Sequence, residues 1–309
     1  LNRLQAKFMK ATEAKARVEA EAAECQERLS LAERLTIGLA SENQRWGHEI
    51  EVLLSVKKTI VGDVLLSAAF VSYIGAFSSS FRAQLVGLWR ADLQSREIPL
   101  TEGVDPMKLL SNDAVVAEWM NEGLPADRFS EENGAIITNG QRWPLIIDPQ
   151  LQGLKWVRTH EENRAKAAGS TVKVMQVGEK GWMTSIMAAI LNGHTVILEN
   201  VGQTLDAVLD PVLTRAVFRK GKNLYMRVGG DDVEYDPAFK LILQTKLSNP
   251  HYKPEVAAQC TLINFIVTES GLEDQLLAKV VTSERPQLEK ERHDLVTSFN
   301  RYKIELKTL

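Results

Sequence analysis

The sequence has only two cysteines and no long run of apolar residues. Cys25 and Cys260 are far apart and neither has another cysteine near it, so no disulfide framework or zinc site is predicted. Such sparse use of cysteine fits a reducing compartment. The longest apolar stretch, 64–77, is interrupted by serines, a tyrosine and a glycine, and is shorter than the roughly 18 residues that a membrane helix requires. We therefore expect no transmembrane segment and no membrane partner.

Common catalytic and nucleic-acid-binding signatures are also missing. The five histidines are scattered without an HExxH or HxxxH pair, so no metal site is predicted. There is no GxSxG motif and no indication of a Cys–His nucleophile pair. The net charge is −3 and basic clusters such as 219–222 are short, which argues against nucleic acid as a partner. The remaining composition, 44% hydrophobic and 25% charged, is ordinary for a globular protein with one large or two smaller domains.

The first 37 residues contain neither glycine nor proline and are rich in Ala, Glu, Lys and Arg. Apolar or small residues recur at alternating spacings of three and four, which indicates the seam of a coiled coil. The seam is weak, because its alanines, Lys15 and Thr36 bury little apolar area, and a weak seam allows sliding between registers. A long surface helix with an imperfect stripe is the alternative. The seam positions are Leu1, Leu4, Phe8, Ala11, Lys15, Val18, Ala22, Cys25, Leu29, Ala32, Thr36 and Leu39.

Residues 46–90 predict packed helices with a broad apolar face, punctuated by glycines at 62, 75 and 87. From about residue 95, apolar strands alternate with helices, which predicts a doubly wound parallel sheet. A hairpin is expected to turn at Gly229-Gly230. The expected strands are 135–138, 144–147, 173–176, 195–198, 224–228, 240–245 and 261–267. The expected helices are 113–121 with Asn112 as its cap, 151–158, 181–191 and 206–218.

The tail from residue 284 predicts a second long helix with heptad spacing. Ser283 is a candidate cap and Pro286 lies near the first turn. Since the chain starts and stops inside helical patterns, we interpret it as a piece of a longer polypeptide with two long helices projecting from one α/β body. The heptad positions of the tail are Leu288, Leu295, Phe299, Tyr302, Leu306 and Leu309.

A candidate phosphate-binding loop, residues 148–156, follows the strand 144–147, but its residues do not suit a nucleotide. Such a loop needs glycines, a lysine for the phosphates and a Ser or Thr for Mg²⁺. Here Gly153 is the one glycine, Lys155 is displaced by a residue, and Trp156 stands near the place of the small hydroxyl. The turn 178–181 has two glycines but no Lys-Ser/Thr pair. An ordinary turn is the favoured interpretation of both.

Two further strands end in residues that bear on nucleotide chemistry. The strand 195–198 leads into Glu199-Asn200, where ATPases place Asp-Glu, and Asn200 cannot act as the general base for an attacking water. A structural role is favoured for Glu199. Asn249 follows the strand 240–245, where α/β sheets present groups that sense a ligand, although Asn-Pro is also a common turn former.

Several strings in order along the chain resemble the dynein heavy chain, and specifically the fifth module of its six-module AAA+ ring. They are RWPLIIDPQLQGLKW, TVILENVGQTLDAVLDPVL, YDPAFKLILQTKLSNPHYKPE, TLINFIVTESGLEDQLL and VVTSERPQLEKER. The helical opening and GDVLLSAAFVSYIGAF resemble the returning helix of the stalk coiled coil and its re-entry into the fourth module. The resemblance covers essentially the whole chain and is closer to axonemal, outer-arm-like chains than to cytoplasmic ones.

The resemblance implies an AAA+ P-loop-type parallel sheet with flanking helices, and long coiled-coil helices at both ends. The implied segments are the second stalk helix (1–45), helices re-entering the fourth module (46–94), the large α/β domain of the fifth module (95–269), and the start of its small helical domain with the buttress helix (270–309). The implied role is that of a non-hydrolysing module and stalk base that relays ring movements to the stalk and its microtubule-binding tip.

The resemblance also implies ligands and partners. No catalytic residue, cofactor or metal is expected in this segment, while ATP or ADP with Mg²⁺ binds other modules of the motor. Arg215 is a candidate arginine finger acting in trans on nucleotide in the fourth module, and a surface salt bridge is its alternative role. The implied partners are the neighbouring modules, the first stalk helix, the buttress return helix, the microtubule and other dynein chains.

The implied location is the cytoplasmic cytoskeleton, in the axoneme of a cilium or flagellum. Two other hypotheses remain open. One is a nucleotide-binding or hydrolysing ATPase module in its own right, against which the missing Lys-Thr and Asp-Glu pairs argue. The other is a coiled-coil scaffold without a motor role, which leaves the ordered α/β strings unexplained.

Overall fold

A computed structural model describes residues 2–267 and 269–308. They form two compact units, of which the first ends at Ile60 and the second begins at Val61. The first unit is the part of helix α1 (Asn2–Tyr73) that ends at Ile60. Its seam side chains are exposed, with Phe8 at 73% and Leu29 at 65%. The predicted helix over the opening residues is confirmed, and the described seam positions lie on its exposed surface. The position of Leu1 and the side chain of Leu4 lie outside the described part.

The glycines predicted to punctuate residues 46–90 do not all do so. Gly62 lies inside α1 and Gly87 inside α2 (Ser79–Ser95), and only Gly75 separates two helices. A Cβ at Gly62 would stand 2.3 Å from the carbonyl oxygen of Pro99, so this glycine permits close packing rather than a break. Gly87 faces open space.

The second unit has an α/β core built around two sheets. The elements after α2 are α3 (Pro106–Leu110), α4 (Asp113–Asn121), α5 (Arg128–Asn139), β1 (Trp143–Ile147), α6 (Gln152–Ala168), β2 (Val172–Gln176), α7 (Trp182–Leu191), β3 (Thr195–Glu199), a 3-10 turn (Ala207–Leu209), α8 (Asp210–Leu213), β4 (Val217–Lys220), β5 (Asn223–Val228), β6 (Asp231–Glu234), β7 (Lys240–Thr245), α9 (Pro254–Gln259), β8 (Cys260–Asn264), α10 (Glu269–Glu284) and α11 (Pro286–Thr308).

The larger sheet is parallel, with the strand order β2-β3-β7-β1-β8. Alternate side chains of its strands enter two separate cores, because successive residues of a strand point to opposite faces. Leu145, Leu198 and Leu243 pack on the face covered by α7. Ile146 and Ile197 pack on the face covered by α5 and α6. Helices on both faces of a parallel sheet confirm the predicted α/β class.

One predicted strand is wrong. Residues 135–138 belong to α5, whose amino end is capped by Asp127, with its carboxylate accepting a 3.0 Å hydrogen bond from the amide of Ser130. Ala135, Ile136 and Ile137 are buried against the sheet as one face of that helix. A four-residue apolar run does not distinguish a strand from a buried helical turn. By contrast, α4 and its cap Asn112 are confirmed.

The helix predicted over 206–218 is also wrong in its second half. The chain forms the 3-10 turn and α8, and then β4 pairs antiparallel with β5. The predicted hairpin at Gly229-Gly230 is confirmed: β5 and β6 pair antiparallel, and both glycines have positive φ values of 62° and 97°. The smaller sheet β4-β5-β6 is thus inserted between α8 and β7.

The tail forms two helices, α10 and α11, which meet near Arg285. Ser283 lies inside α10 and not at the start of α11, whereas Pro286 opens α11 as predicted. The tail helix does not project freely, because α11 packs on α4 and Asn300 donates a 3.2 Å hydrogen bond to Asn121. The position of Leu309 and the side chain of Leu306 lie outside the described residues.

Cys25 is exposed and Cys260 is buried, and neither is paired. Within the described range, no helix combines the length and the apolar character needed to cross a membrane.

Candidate functional site

A cavity of about 290 Å³ opens at the carboxyl ends of β1, β3 and β7, the edge where parallel α/β sheets bind ligands. The volume is at the lower limit of the roughly 300–1,000 Å³ that small-molecule pockets usually have. The cavity is lined by Leu151, Leu154, Lys155, Arg158, Thr159, Gln176, Glu199, Asn200, Gln244 and Lys246. Three of the predicted site residues, Lys155, Glu199 and Asn200, are therefore brought together.

The loop after β1 is closed by the side chain of Asp148. Its carboxylate accepts hydrogen bonds from the backbone amides of Leu154 at 2.8 Å and Gln152 at 3.2 Å, at the amino end of α6. The amide groups at a helix amino end are the usual donors to a bound phosphate. Here they are taken by a carboxylate of the chain itself. Asp148 has no exposed surface, and burial raises its pKa above the ordinary value although these amides oppose the shift.

The spacing of the loop shows which residues stand at the positions of a phosphate-binding motif. In G-x-x-x-x-G-K-[ST], the position of the first glycine falls on Asp148, that of the lysine on Leu154 and that of the hydroxyl residue on Lys155. Gly153 keeps the second glycine, but for packing: a Cβ there would stand 2.6 Å from the ring of Phe265.

Trp156 does not belong to the cavity. The side chain is completely buried in the core between α6 and the sheet, and its ring lies edge-on to Trp119 at a centroid distance of 6.0 Å. His160, one turn later, stacks on the same ring at 5.3 Å. The sequence placed Trp156 near the hydroxyl position, whereas the helical period of α6 turns it away from the cavity.

Gln244, which was not among the predicted site residues, joins the two loops of the site. Its side-chain amide donates to the carbonyl oxygen of Asp148 at 3.1 Å, and its side-chain carbonyl accepts from the amide of Asn200 at 2.9 Å. Gln244 is fully buried, and a polar residue inside the apolar run of β7 was the available signal.

Glu199 is paired with a basic side chain of the same chain. Its carboxylate forms an ion pair with Arg158 of α6, whose side chain is 45% exposed. Asn200, next along the chain, has a left-handed backbone with φ of 53°, a conformation that asparagine tolerates. Asn249 is exposed and does not line the cavity; Lys246 stands there from the same connection. Over the described residues, no group of His, Cys, Asp or Glu side chains is arranged to hold a metal ion.

Arg215 lies away from this cavity, with Trp143, Arg164 and Lys240, around a second cavity at the amino ends of β1 and β7. Its guanidinium stacks over the ring of Trp143 at 3.7 Å. One residue, Thr214, separates it from the end of α8, and the sheet β4-β5-β6 follows before β7. In the part that the structure describes, no carboxylate forms an ion pair with Arg215.

Two protein-family models match this chain, and the matched family agrees with the α/β fold described above. A family model described as "ATP-binding dynein motor region" matches residues 117–309, and one described as "Microtubule-binding stalk of dynein motor" matches residues 1–93. The chain is 50% identical over 303 residues to the ciliary dynein beta chain of Heliocidaris crassispina, covering 97% of this chain and 7% of the relative.

Two further relatives are similar over the same extent. The flagellar outer arm dynein beta chain of Chlamydomonas reinhardtii is 49% identical, covering 98% of this chain and 6% of the relative. Dynein axonemal heavy chain 17 of Homo sapiens is 48% identical, covering 100% and 7%. The chain thus spans a small part of the length of these relatives. The family resemblance stated from the sequence is confirmed: the chain belongs to the dynein motor region family.

Proposed function

We propose that this chain is a non-hydrolysing AAA+ module and stalk base of a dynein heavy chain, and that it transmits movements of the ring to the stalk. The observation that carries the proposal is the Asp148 carboxylate at the amino end of α6. A bound nucleotide would place its phosphates on these amides. Two anions cannot share the donors, and their mutual repulsion at close range opposes nucleotide binding further.

The side chains around the cavity support the same proposal. Leu154 has no charge to offer a phosphate at the position of the phosphate-binding lysine. Glu199 is engaged by Arg158, and Asn200 offers no general base for an attacking water. A module of this kind has a structural role in an ATP-driven motor, and ATP or ADP with Mg²⁺ would bind the other modules.

The division that we propose is a second stalk helix (1–45), re-entering helices (46–94), a large domain (95–269), and a small domain with the buttress helix (270–309). The names of the relatives support a place in the axoneme of a cilium or flagellum. The partners we propose are the adjoining modules, the first stalk helix, the buttress return helix, other dynein chains and, through the stalk tip, the microtubule.

The direct test is binding of a fluorescent ATP analogue with Mg²⁺ to the chain. We expect no Mg²⁺-dependent binding at micromolar concentration. Micromolar binding that depends on Mg²⁺ and disappears in Lys155→Ala or Glu199→Gln would instead establish the alternative, a nucleotide-binding module. Binding that both variants retain would come from another surface.

The stalk role rests on the weak seam of α1, whose alanines and Lys15 bury little area against a partner helix. Lys15→Leu together with Ala22→Leu should strengthen one register. In the intact motor we expect microtubule affinity that no longer responds fully to nucleotide. The matched control is Ala14→Leu with Ala20→Leu, since these alanines are outside the seam. Full nucleotide response in the seam variant would contradict the transmission role.

Arg215 is proposed to act in trans on nucleotide bound by the neighbouring module. Its exposed guanidinium is fixed in orientation by Trp143 and stands away from the cavity of its own module. Stacking on an aromatic face limits the rotamers of an arginine while leaving its outer N–H groups available.

A further inference from the structure

The turn between α1 and α2 touches the edge of the parallel sheet at Gly75. A Cβ at this position would stand 2.5 Å from the carbonyl oxygen of Leu262 in β8, so only glycine allows the contact. The carbonyl oxygen of Gly75 accepts a 2.9 Å hydrogen bond from the amide of Asn264 at the end of β8. The end of α1 is therefore attached to the strand at the sheet edge.

Arg82 of α2 completes this attachment from the other side. Its Nη2 donates to the same carbonyl oxygen of Gly75 at 2.9 Å and to Oδ1 of Asn133 at 2.7 Å. Its Nε donates to the carbonyl oxygen of Phe77 at 3.0 Å, and its Nη1 donates to Glu132 at 3.2 Å. The side chain is 2% exposed, and a buried guanidinium with this many partners has a single orientation.

Asn133 carries the connection from Arg82 to the end of β8. It is completely buried in α5, and its Nδ2 donates to the carbonyl oxygen of Asn264 at 2.8 Å. Asn133 thus accepts from Arg82 with one side-chain atom and donates to Asn264 with the other. A fully satisfied polar network of this kind is rigid, and removing one member leaves the others unpaired.

The connection continues from β8 to the loop after β1. The amide of Phe265 donates to the carbonyl oxygen of Ile147 at 2.9 Å, directly before Asp148. The ring of Phe265 covers Gly153 so closely that no Cβ fits between them. Hence the same short segment, 264–265, contacts both the end of α1 through Gly75 and the loop closed by Asp148.

We propose that Arg82 and Asn133 are positioning residues that form a polar latch coupling the carboxyl end of α1 to the loop 148–154 through Asn264 and Phe265. The latch deepens the proposed transmission function, on which its purpose rests. It gives the module a mechanical connection to the carboxyl end of α1, made by the turn that follows α1. Displacement of Phe265 would then alter the anchorage of α1.

The test is hydrogen exchange measured by mass spectrometry on the intact heavy chain. Arg82→Lys keeps the charge but loses the fork of donors. We expect exchange to rise about tenfold or more in segment 72–78 and also in segments 260–267 and 148–156. Arg96→Lys is the matched control, because Arg96 is exposed at the end of the same helix and pairs only locally with Asp92. A rise confined to 72–78 would overturn the latch.

A second variant tests the latch with a substitution at the other end of the proposed connection, in the loop after β1. Gly153→Ala must move Phe265, whereas Gly87→Ala meets open space and is its control. We expect Gly153→Ala to raise exchange in 72–78, and we expect no such rise in the control. Unchanged exchange in 72–78 would overturn the proposal even if Arg82→Lys failed to fold. In the double variant the effects should be less than additive, as for residues that share one network.

Hydrogen exchange tests the latch, and nucleotide control of microtubule affinity tests the proposed function, so the two proposals can fail separately. If the three segments respond together while the Lys15/Ala22 variant keeps full nucleotide control of microtubule affinity, the latch stands and the proposed function fails. If affinity control is lost in that variant but the segments respond independently, the proposed function stands and the latch is wrong.

Discussion

The carboxylate of Asp148 lies 2.8 Å from the backbone amide of Leu154, so it connects the end of β1 to the first turn of α6. A second amide, that of Gln152, donates to the same carboxylate. Removing this acceptor leaves two donors without a partner at the amino end of α6. The loop therefore depends on Asp148 for its own stability.

Asp148→Ala should lower the free energy of unfolding by about 2–6 kcal/mol, because two donors lose their acceptor and each buried donor left unpaired costs about 1–3 kcal/mol. Urea unfolding followed by tryptophan fluorescence measures the change. Asp231→Ala, at an exposed position of β6, is the control and should change the free energy by no more than about 0.5 kcal/mol. Equal effects of the two substitutions would contradict the role assigned to Asp148.

Glu199→Gln should change stability by less than about 1 kcal/mol, because its partner Arg158 is partly exposed and such pairs contribute little. Glu161→Gln provides the contrast. Glu161 is fully buried and pairs with Lys240 and Arg164, so its loss should cost about 3–5 kcal/mol. In the intact motor, Glu199→Gln should leave ATP turnover unchanged; a large loss of turnover would show that this carboxylate has a catalytic role.

The pair of Glu122 and His160 should make stability dependent on acidic pH. Burial alone would raise the pKa of Glu122, but hydrogen bonds from His160 and Asn163 outweigh it and hold the pKa below its ordinary value. A depressed folded-state pKa gives stability that is present above the unfolded-state pKa and is lost as pH falls through the folded-state pKa.

Glu122→Gln should remove this contribution, so the difference in unfolding free energy between the two proteins should shrink as pH falls from about 6 to about 3. Equilibrium unfolding over that range measures it. Glu118→Gln, exposed in α4 one turn before Glu122, is the matched control. A difference that stays constant or grows towards low pH would contradict the assignment.

Arg215→Ala should slow ATP turnover by the neighbouring module at least tenfold, given that arginine fingers commonly contribute about 10³–10⁵ in rate. The measurement needs the intact motor with its other hydrolytic modules inactivated. Arg219→Ala removes an exposed charge from nearby β4 and should leave turnover unchanged. Turnover within about twofold of the parent in Arg215→Ala would exclude the trans role.

The sequence predicted the parallel strands well, because β1, β3 and β7 are short apolar runs bounded by polar residues and buried on both faces. Asn112 likewise marked the start of α4 through a local rule. The strand β4 escaped prediction because all four of its residues are exposed, and its pairing with β5 alone makes it a strand. Such a strand has no alternation of apolar and polar residues from which it could be predicted.

The departure of the site from a phosphate-binding motif could be predicted from the sequence, but the contact made by Asp148 could not. The sequence shows that Leu154 and Lys155 do not match a phosphate-binding motif. It does not show that Asp148 turns inwards onto an amide six positions later, since that contact requires the left-handed backbone at Leu151 and the packing of Phe265 on Gly153. Trp156 was misplaced because a linear spacing gives no direction around the helix.

A ligand that is part of the chain has a fixed effective concentration. Occupancy at the amino end of α6 by Asp148 therefore does not follow the cellular ratio of ATP to ADP, as binding of a free nucleotide does by mass action. In the proposed role, the occupant of this helix end would therefore stay the same through the cycle of the motor. Movements of the module would then be imposed by its neighbours and not by nucleotide bound at this loop.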